Sequence, residues 1–125
     1  MIGAIAGDII GSIHEGRGTK TKDFELLGQY NRFTDDTVLT VAVAESVLND
    51  SDLVETFHDY FDRYSQAGYG RSFILWARSR SRNPYNSWGN GSAMRVSPIG
   101  FAFDSMEAVL EQAERTAAVT HDHPE

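Results

Sequence analysis

Between Val38 and Leu48 the residues are apolar on nearly every side, interrupted chiefly by Thr40, Glu45 and Ser46. That pattern predicts a central, buried helix over Thr37 to Leu48 rather than a surface one. The segment before it, Phe33-Thr34-Asp35-Asp36-Thr37, offers Thr34 or Asp35 as an N-cap and places acidic charge in the first turn. After the turn Asn49-Asp50-Ser51-Asp52, the residues Leu53, Val54, Phe57, Phe61 and Tyr64 recur at helical spacing. They predict an amphipathic helix over Leu53 to Ser65, ending near Gly68 or Gly70.

At the start of the chain Gly3, Gly7 and Gly11 fall four apart, so a helix over Ile2 to Ile13 would carry a smooth glycine stripe. Glycine costs about 1 kcal/mol per helical position. Close approach of a neighbouring helix or ligand is expected to compensate. Further helices are expected over Ser72 to Ser79 and from Ala93 until Pro98 kinks or restarts the chain. The last helix, Ser105 to Ala118, follows a capping-box-like pair, Asp104 and Glu107, with Met106, Val109, Leu110, Ala113 and Ala117 on one face. The architecture reads as all-α with six or so helices. Strand alternation is scarce, and no repeat, low-complexity tract or linker divides the 125 residues, so one domain is expected.

Composition narrows the chemistry. The formal net charge of -7 argues against a general phosphate-backbone binder, so no nucleic-acid partner is expected. The basic cluster Arg78, Arg80 and Arg82 reads best as a solvated helix end. The absence of cysteine excludes a disulfide framework and a thiolate zinc site and fits the cytoplasm. The apolar N-terminus lacks a basic flank and meets Asp8 too early for a signal peptide or membrane span.

Two constellations carry candidate chemistry. Thr34, Asp35 and Asp36 put three hard oxygen donors at a helix entry, where a Mg²⁺-like cation could be held. The same residues also suit a plain cap whose carboxylates complement the helix dipole. Residues 83–92 form a loop dense in turn formers, in which Gly89 and Gly91 allow backbone to approach a ligand and Asn90 supplies donor and acceptor. Trp88 there offers a flat face for an adenine, or else packs in the core. The terminal Thr120-His121-Asp122-His123 lacks an evident third ligand, which disfavours zinc. Pro124 suits the first position of a following helix, as though the chain were cut short.

Taken together these segments resemble the ADP-ribosylglycohydrolase family, in the manner of dinitrogenase reductase-activating glycohydrolases, at four places in order. They are the glycine-spaced run from Gly3 to Glu15, Phe33-Thr34-Asp35-Asp36-Thr37, Trp88-Gly89-Asn90-Gly91-Ser92-Ala93-Met94-Arg95, and Thr120-His121. The resemblance runs from Ile2 to Glu125 and looks like the N-terminal portion only. It implies an all-α fold with two Mg²⁺ or Mn²⁺ ions at the bottom of a cleft. It makes Thr34, Asp35 and Asp36 metal ligands, and Glu15 together with Asp36 the catalytic carboxylates, Glu15 as an acid-base or gating group. Gly70, Ser87, Trp88, Gly89, Asn90 and His121 would bind an ADP-ribose-containing substrate.

The family's downstream Asp-x-Asp-Ser/Thr motif does not occur in this sequence, and Asp50-Ser51-Asp52 is followed by Leu53 in a turn between helices. Two near-octahedral ions need roughly a dozen ligand positions, more than three side chains and waters supply. A missing C-terminal segment or a partner chain is therefore expected to complete the site. The alternatives are a non-catalytic ADP-ribose-binding or crystallin-like structural protein on the same fold.

Overall fold

The computed structural model describes residues 1–16 and 18–124, and it is helical with no strand among them. In chain order the helices are α1 (Ile2–Gly11), followed by a 3₁₀ turn (Ser12–His14), then α2 (Asp35–Asn49) and α3 (Leu53–Arg63). Then come α4 (Arg71–Arg78), α5 (Gly91–Met94), α6 (Ile99–Ala102) and α7 (Met106–Ala118).

The centre is α2, as its all-round apolar pattern requires. Val38, Leu39, Ala42 and Val43 are buried, and even Thr40 and Ser46 lie inside with hydroxyls satisfied by Met94 O and Ser51 O. Thr34 is the N-cap, accepting from the Asp36 amide at 3.3 Å. At the other end Asp50 adopts the left-handed conformation (φ 48°) that closes the helix, and Asp52 then caps α3 by accepting from Glu55 N. The amphipathic α3 buries Phe57, Tyr60 and Phe61 against α2 and α4. It stops at Arg63, short of the expected Ser65 and of Gly68, because Tyr64 to Ala67 form a turn of their own. An aromatic cluster of Phe57, Phe61, Tyr69, Phe73 and Trp76 fills the space between α3 and α4.

Three local expectations are corrected. The cap of α7 is Ser105, which accepts from Ala108 N, not the Asp104–Glu107 pair. Ser105 has the extended backbone that an N-cap requires. On α7, Val109 and Ala113 pack on the core while Met106 and Leu110 are exposed. Along α1 a Cβ on Gly3, Gly7 or Gly11 would meet nothing within 4 Å, and the helix has no buried residue. The close approach expected to compensate for these glycines is thus not made by any described residue of this chain.

The arginine cluster behaves as a surface feature. Arg80 pairs with Asp62, and Arg82 bridges Asp52 at 2.6 Å and Glu55 at 2.5 Å, all at exposed positions. Such pairs contribute little to stability, but they fasten the segment after α4 to α3. The helix start expected from Pro124 falls on Glu125, outside the described residues.

Candidate functional site

At the entry of α2 the chain gathers acid. Asp8, projecting from the apolar α1, accepts the Thr34 amide at 2.8 Å on one carboxylate oxygen and the Thr34 hydroxyl at 2.6 Å on the other. The same carboxylate also takes the Thr37 amide at 3.2 Å and the Thr37 hydroxyl. Asn31 adds a second tie, donating to Ile9 O at 2.8 Å. Polar groups thus tie the first helix to α2 and to the segment before it.

This arrangement presents Thr34, Asp35 and Asp36 in a defined way. With its proton given to Asp8 and one lone pair to Asp36 N, the buried Thr34 hydroxyl keeps one lone pair. Burial first, and the Asp36 charge second, push the Asp35 carboxyl up to about 6. Burial, then Asp8 and Glu15, raise Asp36 as well. The exposed Glu15 acts on both aspartates. Hence Asp8, Glu15, Asp35 and Asp36 form one mutually repelling set, and the charges acting on the two aspartates are all carboxylates. Hard oxygen donors with unrelieved negative charge suit a divalent cation. Among the described residues, however, no three His, Cys, Asp or Glu side chains form a group that could hold a metal ion.

A cavity of about 650 Å³ opens beside this set. Its wall brings together Asp35, Gly70, Ser87, Trp88, Gly89 and Asn90. Residues 35 to 55 positions beyond Asp35 in sequence thus share one space with it. Thr34 and Asp36 flank Asp35 at the rim of α2, and Glu15 reaches the cavity only through its charge. Trp88 is 85% exposed, so the core reading fails, and its ring lies 5.4 Å from that of His123. The other tryptophan, Trp76, is buried and donates to Asn83 O at 2.9 Å.

His121 lies behind the loop, lining an adjacent cavity with Ser87, Trp88 and Gly89. Its Nε2 meets Gly89 O at 3.0 Å and its Nδ1 meets Thr120 Oγ1 at 2.7 Å. Both ring nitrogens are thus engaged within the chain. Asp50-Ser51-Asp52 likewise serves the α2–α3 turn, with Asp52 bound to Arg82.

Two residues of the site carried no assigned role in the sequence. Asp8 is the lone charge within an otherwise apolar helix, a signal that could have marked it. Arg95 is the lone charge between Asn90 and Phe103 and lines the cavity, 1% exposed, with its guanidinium 4.6 Å from the Phe57 ring. Burial holds its pKa down at about 10.

The helical architecture and the acid-plus-loop cavity define a class, and comparison with known proteins gives it a family. The chain belongs to the ADP-ribosylglycohydrolase family, whose model matches residues 1–125. It is similar to the ADP-ribosylhydrolase ARH3 of Xenopus tropicalis, with 28% identity over 97% of this chain and 43% of that protein. The ARH3 proteins of Bos taurus and Homo sapiens are 27% and 25% identical, each over 97% of this chain and 43% of their own length. The chain spans less than half the length of these relatives. No solved structure matches it significantly.

Proposed function

We propose that this chain forms the N-terminal half of a metal-dependent site that hydrolyses the anomeric bond of an ADP-ribosyl group on a protein or small molecule. The observation that carries the reading is the shared cavity of Asp35 with Gly70 and the 87–90 loop. An acidic set beside a nucleotide-sized space suits a ligand that is flat at one end and rich in ribose hydroxyls at the other.

Thr34, Asp35 and Asp36 are the residues that would hold Mg²⁺ or Mn²⁺, two ions in the complete site. Such ions, when bound, supply charge for orienting ribose hydroxyls and lowering the pKa of a bound water. The chain's own groups do the rest. Trp88 offers its exposed face to the adenine, while Ser87, Gly89 and Asn90 wall the diphosphate region. Glu15 is the exposed carboxylate suited to take or return a proton, with Asp36 beside it. Asp8 holds Thr34 in place.

The downstream Asp-x-Asp-Ser/Thr motif is absent from this sequence. Catalysis is accordingly assigned to this half together with a complementing segment, in cis or as a second chain. The unburied apolar α1 favours such a complement, since its outer face has no cover within these residues. The test is release of ADP-ribose from ADP-ribosylated peptide in Mg²⁺ or Mn²⁺. The purified chain alone should be inactive, and the chain joined to a downstream half from a relative should be active. Robust turnover by the 125-residue chain, or no turnover and no ADP-ribose binding by the joined protein, would overturn the proposal.

A further inference from the structure

Behind the cavity loop the hydrogen bonds run in one direction. The buried Arg95 has no carboxylate among its hydrogen-bond partners; its Nη2 donates to Thr116 O and to Thr120 Oγ1, both at 2.8 Å. Thr120, fully buried, contacts His121 Nδ1, and His121 Nε2 contacts Gly89 O. The polarity of every link follows from the two ends. A guanidinium only donates and a peptide carbonyl only accepts.

Gly89 O therefore requires the proton on Nε2. In a neutral imidazole Nδ1 is then the acceptor, so the Thr120 hydroxyl gives its proton to Nδ1 and spends a lone pair on Arg95. Burial, aided by the Arg95 charge and opposed by the Gly89 hydrogen bond, holds His121 below the ordinary imidazole range, which favours that neutral ring. Two further contacts join the same segments. Ser87 N donates to Thr120 O at 2.9 Å, and a Cβ at position 91 would come within 3.3 Å of His121 Cε1, so Gly91 admits the ring.

We infer that Arg95 and Thr120 are positioning residues which, through the Nε2-protonated tautomer of His121, hold the Gly89 carbonyl and fix the loop over residues 87–91. The consequence for ligand affinity rests on the nucleotide reading of the cavity; the relay itself does not. Thr120 lines neither cavity, so an effect of changing it on binding travels through His121 or through Arg95, the two side chains its hydroxyl contacts, and the His121 tautomer tells which.

The experiment is long-range ¹⁵N–¹H NMR of the His121 ring in this chain near pH 8, paired with ADP-ribose titration. The wild-type ring should be a single Nε2–H tautomer. Thr120→Val should give a tautomer mixture and weaken ADP-ribose about tenfold, the scale of one lost hydrogen bond. Thr120→Ser should restore both. A wild-type ring that is mainly Nδ1–H, or Thr120→Val that keeps the tautomer and affinity, would overturn the relay. If Thr120→Val unfolds, the wild-type and Thr120→Ser spectra decide. Failure of the wild type to bind ADP-ribose both alone and joined to a downstream half would remove the nucleotide reading, while the tautomer would still decide the relay.

Discussion

Asp8 grips Thr34 at two points, one carboxylate oxygen on the amide and the other on the hydroxyl, across 26 positions of sequence. The cap of the central helix is thus itself capped from another helix. Together with the two bonds from Thr37, this carboxylate is the main polar tie between α1 and α2. Asp8→Ala removes the near acceptor of the buried Thr34 hydroxyl and leaves only Asp36 Oδ2 at 3.5 Å, so it should cost about 1.5 to 3 kcal/mol in urea unfolding, the range for hydrogen bonds to a charged group. Asp8→Asn keeps one accepting oxygen and should fall between. A stability change below about 0.5 kcal/mol, typical of surface substitutions, would dismiss Asp8 as a structural anchor.

Trp88 and Trp76 form a natural pair of probes, because one is 85% exposed at the cavity and the other is buried at 4%. ADP-ribose should quench fluorescence in the protein completed by its downstream half. Trp88→Ala should remove the quenching and weaken binding by about 1 to 3 kcal/mol, by analogy with base stacking. Its effect on the unfolding midpoint should be small, since little contact is lost. Quenching that survives in Trp88→Ala would reassign the adenine to another wall of the cavity.

Much of this architecture was legible locally. The α2 pattern fixes burial on all sides without reference to any neighbour, and the Leu53–Phe57–Phe61 spacing orients α3. The relationships that make the site were not. Asp8 to Thr34 and His121 to Gly89 join residues 26 and 32 positions apart. No periodicity encodes such pairs, and only the path of the chain between α1 and α2, or between α5 and α7, brings them together. The glycine stripe illustrates the converse. Spacing revealed a smooth helix face, but not that nothing in these residues would approach it.

His58 gives a pH dependence of defined sign. It is 1% exposed, tilted against Trp76 at 4.6 Å, and neither ring nitrogen has a hydrogen-bond partner. Burial holds its pKa below 6.5; Arg80 and Arg82 push it the same way, against Glu55 and Asp62. The unfolded chain therefore binds the proton more readily. The neutral ring's contribution is fully present above pH 6.5 and is lost as pH falls from there through the folded-state value. Protonation of Asp35 and Asp36 in the folded state stabilises it in the same window, so the comparison decides: between about pH 7.5 and 5 the wild-type urea midpoint should lose more, or gain less, than that of His58→Phe. Some slope should remain, because burial also lowers His121. An identical slope in His58→Phe would locate the sensitivity elsewhere.

The acidic set makes the clearest prediction about metal. Asp35 and Asp36 are each disfavoured as anions, first by burial and then by neighbouring carboxylates. That cost is carried by the folded state alone, so a cation that binds there relieves it only in the folded state. Thermal melts of the chain should shift upward in Mg²⁺ or Mn²⁺, with about 2.7 kcal/mol gained at a hundred times the dissociation constant. EDTA should reverse the shift. Asp35→Asn removes one repelling charge while keeping the shape of the side chain. It should therefore melt higher than the wild type without metal, yet gain little from it. A structural cap that only complements the helix dipole predicts the opposite pair of results: a lower melting temperature for Asp35→Asn, and no metal response in either protein. The two readings of Thr34-Asp35-Asp36 therefore separate on the sign of one substitution, measured with and without the ion.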